Sequence, residues 1–374
     1  MQEAQITGQL EHPGIVPVYE LIKPGAGRDP FYTMRFVRGR TLTEACIAYH
    51  ERSQAGTATP LEFLTLLNAF VSVCQTVAYA HSRGIVHRDL KGSNVVLGDF
   101  GEVIVLDWGL AKRMADDPDG ARRTSTDDDD RLRETWATHC SLPSLMGEIK
   151  GTPQYMAPEQ AAGRADLIGR WTDVYGLGAI LYHILTGRPP FNGPDVASVL
   201  RQVVADEPAP PSCLAPATPR GLEAACLRAM AKDPGRRHAA AGDLADEVRQ
   251  WLAETAERSR DEQVRERFFN LSLDMLCTVG LDHRFKQLNP AWEKTLGWSR
   301  EELIDRPYLD FVHPDDRESA RAEEDRAAKG AAQPAFENRY LCKGGGFRWI
   351  SWFANLIPGE GMIYAVGRDV TDRK

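Results

Sequence analysis

The stretch VVLGDFGEVIVLDWGLAKR, residues 95–113, offers two aspartates for one kind of chemistry. Asp99 and Asp107 are each followed by an aromatic residue and a glycine, and either carboxylate could act as an oxygen ligand for a hard cation. The surrounding pattern separates them. Residues 95–97 and 103–106 are β-rich runs, and Gly98 and Gly101 between them suit a tight reversal. The spacing predicts a hairpin with Asp99 at its tip. Asn94 and Asp107 then flank the opposite, shared end, where two ligands can converge. At about 3.3 Å of rise per residue, the tip lies roughly 10 Å from that end. Asp99 is therefore expected to do turn chemistry, and Asp107 is the expected ligand.

Immediately before Asn94 stands HRDLKGSN, residues 87–94, and GTPQYMAPE follows at 151–159. The first string matches the protein-kinase catalytic loop H-R-D-x-K-x-x-N at every constrained position, and Asp107-Trp108-Gly109 matches D-F-G with Trp for Phe. On these motifs, residues from about 1 to 255 resemble the eukaryotic-like Ser/Thr protein kinases of bacteria. The resemblance implies ATP and Mg²⁺ as cofactors and protein substrates. It makes Asp89 the group that accepts or orients the substrate hydroxyl, and it brings Lys91 to the γ-phosphate. Asn94 and Asp107 would hold Mg²⁺, and Thr152 would bond the catalytic aspartate and lysine. Met34 would be the gatekeeper before a hinge at Arg35-Phe36-Val37 that binds adenine, with Val96 under the ring. By the same resemblance, Arg88 reaches toward a phosphorylated activation loop, where Thr124, Ser125, Thr126, Thr135, Thr138, Ser141 and Ser144 are available. Glu159 with Arg237 would anchor that segment, and Asp173 would hold the catalytic-loop backbone.

The elements that must position these groups are legible upstream and downstream. A short helix pattern up to about Leu10 is followed by strands at IVPVYEL and FYTMRFV. Between Pro60 and Ser82, apolar residues recur at helical spacing, the mark of a long helix packed on one face. Residues 114–150 read as a long polar loop, and helical segments return from about 158 to 256. The expected fold class is α+β: a protein-kinase-like fold with a partial small lobe (1–37) and a mostly helical large lobe (38–252).

The front of that fold departs from the family pattern. No G-x-G-x-x-G and no V-A-I-K-like lysine precede the hinge. EAQITGQLEHPGIVPVYEL looks like the family's helix C and strand 4, which makes Glu3 the helix glutamate. Three explanations stand open: a start or fragment boundary that omits upstream residues, a true pseudokinase, or a lobe supplied by another chain. The same shortening predicts exposed apolar surface and an open sheet edge in the small lobe.

AETAERSRDEQVRER, residues 253–267, is charged and helical in pattern and reads as a linker. Beyond it, residues 268–374 resemble a PAS sensor domain, an antiparallel sheet with helices on one face around a small pocket. The resemblance rests on LDMLCTVGLDHRFKQLNPAWEKTLGWSREEL, FVHPDDRES, ENRYLCKGGGFRWISW and GRDVTDRK. His313 reads as a turn or capping residue, and Cys342 lacks the motif of flavin-photoreactive relatives. Trp349, Trp352 and Phe353 alternate between sheet faces, so pocket lining and core packing are both open to them. No ligand is named by these residues. The linker helix reads either as a homodimer contact or as a solvated face.

Composition sets the outer limits. The hydrophobic content is 43% and the charged content 26%, values that allow buried cores. A net charge of −8 argues against nucleic acid or an anionic membrane as partner. The N-terminus carries no signal-peptide pattern, and VYGLGAILYHIL is too short to span a bilayer. The seven cysteines are widely separated, as expected of thiols in a reducing cytoplasm.

Overall fold

The computed structural model describes residues 6–22, 31–113, 153–328, 336–357 and 361–374. The chain divides into two compact units, Met1–Thr255 and Ala256–Lys374.

The first unit opens on an antiparallel ribbon, β1 (Val18–Ile22) with β2 (Phe31–Met34), carrying a register shift between Val18 and Glu20. Tyr19, Phe31, Met34 and Phe36 are exposed on and beside it. The chain then enters β3 (Arg40–Thr41) through Gly39, whose φ of 144° only glycine adopts readily. A Cβ there would sit 2.1 Å from the Leu97 carbonyl oxygen. That close approach lets β3 pair with β5 (Val95–Leu97), which pairs in turn with β6 (Val103–Val105). A second small pairing joins β4 (Ile85–Val86) to β7 (Lys112–Arg113).

The helices supply the core. Thr41 caps α1 (Leu42–Gln54) through a reciprocal box with Glu44. Pro60 begins α2 (Pro60–Ser82), which buries Leu66, Leu67, Phe70, Val73, Cys74 and Val77. Each such side chain contributes about 1.5–3 kcal/mol by leaving water. Among the described residues, α2 has the length and apolarity to cross a bilayer, and 56% of its apolar window is buried, as in a core helix. α3 (Arg170–Thr186) is buried without a break from Thr172 to Leu185, which is why its sequence is apolar on every side. It ends at Gly187, φ 76°, a left-handed C-cap. α4 (Val196–Ala205) and α5 (Arg220–Ala229) follow, and Cys226 of α5 donates its thiol to the Gly178 carbonyl of α3. α6 (Ala241–Leu271) buries Leu244, Ala245 and Val248 and is exposed over most of 253–268.

The second unit is a five-stranded antiparallel sheet in the spatial order Phe336–Leu341, Phe347–Ile357, Met362–Asp369, Met275–Gly280, Phe285–Leu288. Its strands are β8 (Met275–Gly280), β9 (Phe285–Leu288), β10 (Phe336–Leu341), β11 (Phe347–Ile357) and β12 (Met362–Asp369). Its core includes Trp292 from α7 (Ala291–Leu296) and Ala320 from α8 (Arg317–Ala328). Alternation along β11 sends Ile350 and Trp352 inward and leaves Phe353 half exposed. Trp349 lies on the outer side, under Arg339 and Lys374. His313 caps the turn at Pro314–Asp316, as its sequence context predicts.

Candidate active site

The two aspartates part as the hairpin predicts. β5 and β6 pair Val95 with Val105, and the Leu106 N–H donates to the Asn94 carbonyl at 2.7 Å. Asn94 and Asp107 therefore flank the open end of the ladder, while Asp99 lies exposed in the turn at the other end. The aromatic neighbours agree. Phe100, after Asp99, is 94% exposed, whereas Trp108, after Asp107, is 2% exposed. Trp108 packs with its ring centroid 4.6 Å from that of His87 and donates its indole N–H to the Val105 carbonyl.

His87 fixes the loop from below. The Asp89 N–H donates to His87 Nδ1 at 3.2 Å, so Nε2 carries the proton and donates to the Leu106 carbonyl at 3.1 Å. One imidazole thus ties the 87–89 backbone to the strand that delivers Asp107. Arg88 and Asp107 both take left-handed backbone angles, φ 73° and 62°. Neither is glycine, so the surrounding bonds must hold this strain in place.

Those bonds are visible at Arg88. Asp173, 1% exposed at the start of α3, accepts the His87 N–H on Oδ2 and the Arg88 N–H on Oδ1, each at 2.8 Å. His81 Nε2 donates to Asp173 Oδ2 at 2.7 Å, and Gln160 Nε2 donates to the Arg88 carbonyl. Burial pushes the Asp173 carboxyl up, but the His81 bond and charge, with His87 and the Arg88 N–H, leave it below its ordinary value.

On this platform three side chains meet. Lys91 Nζ donates to Asp89 Oδ2 at 2.6 Å. Asn94 Nδ2 donates to the same oxygen at 3.2 Å and to the Asp89 carbonyl at 2.9 Å. Both bonds fall on Oδ2, which leaves Oδ1 to face a substrate hydroxyl. The Asn94 amide nitrogen is committed, so its oxygen is the atom left for a cation. With the exposed Asp107 carboxylate it would make an all-oxygen donor pair, of the kind that Mg²⁺ accepts while keeping water and phosphate oxygens. Among the described residues no group of three or more His, Cys, Asp or Glu converges on a metal position.

The residues expected on the nucleotide side fall on two separate small sheets and the segment between them. Met34 ends β2 opposite Val18, and the Arg35 N–H donates to the Pro17 carbonyl. Arg35 also reaches Glu102 at 3.7 Å. Val37 lies in the segment that runs into β3, and Thr41 of β3 pairs with the buried Val96 of β5. Glu3, Thr152 and the hydroxyl residues of the 114–150 loop lie outside the described residues. The support below the site includes contacts that the sequence does not announce. His81 in the last turn of α2 and Gln160 are polar residues without a motif. The Glu159–Arg237 pair, by contrast, is expected from the sequence and is bidentate at 2.8 Å and buried, while the Thr172 Oγ1 donation to Glu159 is not announced.

Comparison with known proteins agrees with this geometry. Residues 1–219 match the family described as protein kinase domain, and residues 285–367 match the PAS fold. The chain is 34% identical to serine/threonine-protein kinase PknD of Protochlamydia amoebophila over 67% of its own length and 25% of that protein. It is 34% identical to serine/threonine-protein kinase PknB of Mycobacterium tuberculosis, covering 66% of this chain and 35% of that one. PknD of Chlamydia caviae is 35% identical, over 67% of this chain and 26% of the relative. The chain therefore spans about a quarter to a third of the length of these curated relatives. With the family match covering more than half of its residues, this chain belongs to the protein kinase family and carries a PAS fold behind its kinase domain.

Proposed function

We propose that this chain transfers the γ-phosphoryl group of ATP to Ser or Thr hydroxyls of protein substrates, under the control of its PAS unit. The observation that carries the reading is the convergence of Lys91 and Asn94 on one oxygen of Asp89, with Asp107 delivered beside Asn94 by the hairpin. In the reaction, the substrate hydroxyl oxygen bonds to the γ-phosphorus as the bond to the β,γ-bridging oxygen breaks, and the hydroxyl proton passes to Asp89 Oδ1. Lys91 offsets negative charge on the transferring group. Asn94 and Asp107 would hold Mg²⁺, which would supply electrostatic stabilisation of the phosphate oxygens. Met34, the Arg35–Val37 backbone and the apolar Val96 would enclose adenine.

The finer parts of the reading concern organisation. Residues 1–252 act as the kinase unit, 253–267 as the linker and 268–374 as the sensor. A homodimer through the linker and sensor is supported by Val264, Phe268 and Leu271, an exposed apolar stripe at i, i+4 and i+7 of α6. A cytoplasmic location belongs to the same reading, supported by cysteines spaced far apart.

The test is phosphorylation by purified 1–374 with Mg²⁺ and labelled ATP, beside Asp89→Asn. Label that disappears in the variant supports phosphotransfer by this chain. Label in neither protein would favour the other reading, a weak or inactive kinase-like scaffold that signals through ligand sensing and protein contacts.

A further inference from the structure

The chain from Pro153 to Gln160 is tied to the body of the first unit at three points. Gln160 Nε2 donates to the Arg88 carbonyl of the catalytic loop at 2.7 Å, and Glu159 pairs with Arg237. The third tie is Tyr155, whose hydroxyl lies 2.5 Å from Nδ1 of His183 in α3. Tyr155 is 9% exposed and His183 7%. From α1, Cys46 acts electrostatically on the Tyr155 phenol and His50 on the His183 ring. His50 Nε2 also donates to the Ile184 carbonyl at 2.9 Å, so α1, α3 and the turn at Pro153–Tyr155 meet around His183. Pro153, Tyr155 and Ala157 are buried, and Gln154 and Met156 between them are partly exposed.

The direction of the Tyr155–His183 bond follows from what each proton assignment leaves unmet. His183 Nε2 is buried with no hydrogen-bond partner among the described residues. With Nδ1 protonated, the Nε2 lone pair and the Tyr155 hydroxyl proton would both be stranded. With Nδ1 bare, the hydroxyl donates to it and only Nε2–H is unmet. Burial raises the Tyr155 phenol, and the Cys46 thiol adds to the rise, so the hydroxyl keeps its proton. Burial, with His50 nearby, lowers the His183 pKa to about 4, so the ring stays a neutral acceptor. The unmet Nε2–H costs about 1–3 kcal/mol. An apolar residue at 183 would carry no such cost but would give Tyr155 no acceptor. Resting on the phosphotransfer reading above, we propose that His183 is a positioning residue: through Tyr155 it sets the 153–158 backbone beside the catalytic loop, and with it the place where a protein substrate presents its hydroxyl to Asp89. Gln154 and Met156 are the side chains of this segment that a substrate can meet. ATP and Mg²⁺ are assigned to Met34–Val37, Val96, Asn94 and Asp107, on other elements, so their binding does not depend on this tie.

Four variants of the full chain test this: Tyr155→Phe, His183→Leu, the two combined, and His183→Gln, whose amide oxygen can still accept the hydroxyl. Amide hydrogen exchange reads the segment without relying on activity. Exchange across 154–157 should quicken about tenfold in either single variant and no further in the combined one. His183→Gln should stay close to wild type, and the rest of α3 should be unchanged in all four. With casein as phosphoacceptor, His183→Leu should raise the KM for casein about tenfold, leave kcat and the KM for ATP within about twofold, and be rescued by Gln at the same position. Unchanged exchange at 154–157, additive effects of the two substitutions, or a rise shared equally by α3 would overturn the positioning role. A KM for ATP that rises together with that for casein would overturn its substrate side. Wild type that labels no casein defeats the phosphotransfer reading alone, and the exchange comparison still decides whether His183 places the segment.

Discussion

The Arg88 N–H donates to Asp173 Oδ1 at 2.8 Å, and it does so from a residue held at φ 73°. A non-glycine residue in that conformation needs an external restraint, and a buried carboxylate accepting from His81, His87 and Arg88 together provides one. Asp173→Ala removes the acceptor for three buried donors. It should destabilise the first unit by about 3 kcal/mol or more, by the cost of unmet buried donors. Any phosphotransfer should fall with it, because Asp89 follows Arg88 directly. Asp173→Asn keeps one oxygen acceptor and should lie between. Urea unfolding and labelling of the two variants check the order, and equal stability of Asp173→Ala and wild type would refute the restraint.

The hairpin makes opposite predictions for its two aspartates. Asp99→Asn alters an exposed turn residue and should leave phosphotransfer within about twofold of wild type and stability within about 0.5 kcal/mol. Asp107→Asn replaces one of two protein oxygens proposed for Mg²⁺ with a neutral ligand. Its labelling rate should drop by about 100-fold or more and should need more Mg²⁺ for half-saturation. A Mg²⁺ titration of both variants separates them, and an Asp99 defect equal to that of Asp107 would reverse the assignment.

Much of this site was legible because its chemistry is local in sequence. HRDLKGSN places Asp89, Lys91 and Asn94 within six positions, and two glycines suffice to fold Asp107 back beside Asn94. Pattern alone could also choose Asp107 over Asp99, since a residue between two reversing glycines must lie at a tip. The supporting contacts were less legible for the opposite reason. His81 and Asp173 stand 92 positions apart, and Tyr155 and His183 stand 28 apart, so only packing brings them together. The left-handed angle of Arg88 has no compositional signal, and although aspartate is among the residue types that tolerate such an angle, Asp107 carries no neighbouring pattern that would mark it.

His183 gives the first unit a pH dependence that can be isolated. Its Nδ1 lies 2.5 Å from the Tyr155 hydroxyl, and Nε2 is buried with no partner. Burial, with His50 nearby, lowers its pKa from 6.5 to about 4. The unfolded chain therefore takes up this proton more readily than the folded one. The contribution to stability is complete above pH 6.5 and is lost as pH falls toward 4. At pH 5 the loss is roughly 2 kcal/mol. Unfolding free energies from urea titration at pH 7.5 and pH 5 should differ more for wild type than for His183→Gln by about that amount. Identical pH responses of the two proteins would remove His183 from the account.

Arg237 provides the sharpest test of how the segment after the loop is anchored. Its guanidinium donates to both oxygens of Glu159 and also to the carbonyls of Trp171, Ala231 and Lys232. Only a planar fork reaches all of these acceptors, and a lysine ammonium cannot. Arg237→Ala leaves a buried carboxylate with, among the described residues, the Thr172 hydroxyl as its hydrogen-bond donor and should cost about 3–5 kcal/mol. Arg237→Lys should recover less than half of that, despite keeping the charge. The pairing of Glu159 with Arg237 joins residues 78 positions apart, so its loss should free residues 153–165 before the rest of the unit. Amide hydrogen exchange in Arg237→Lys reads this directly: faster exchange confined to that segment is expected, and uniform acceleration across α3 would mean that the pair holds the whole unit.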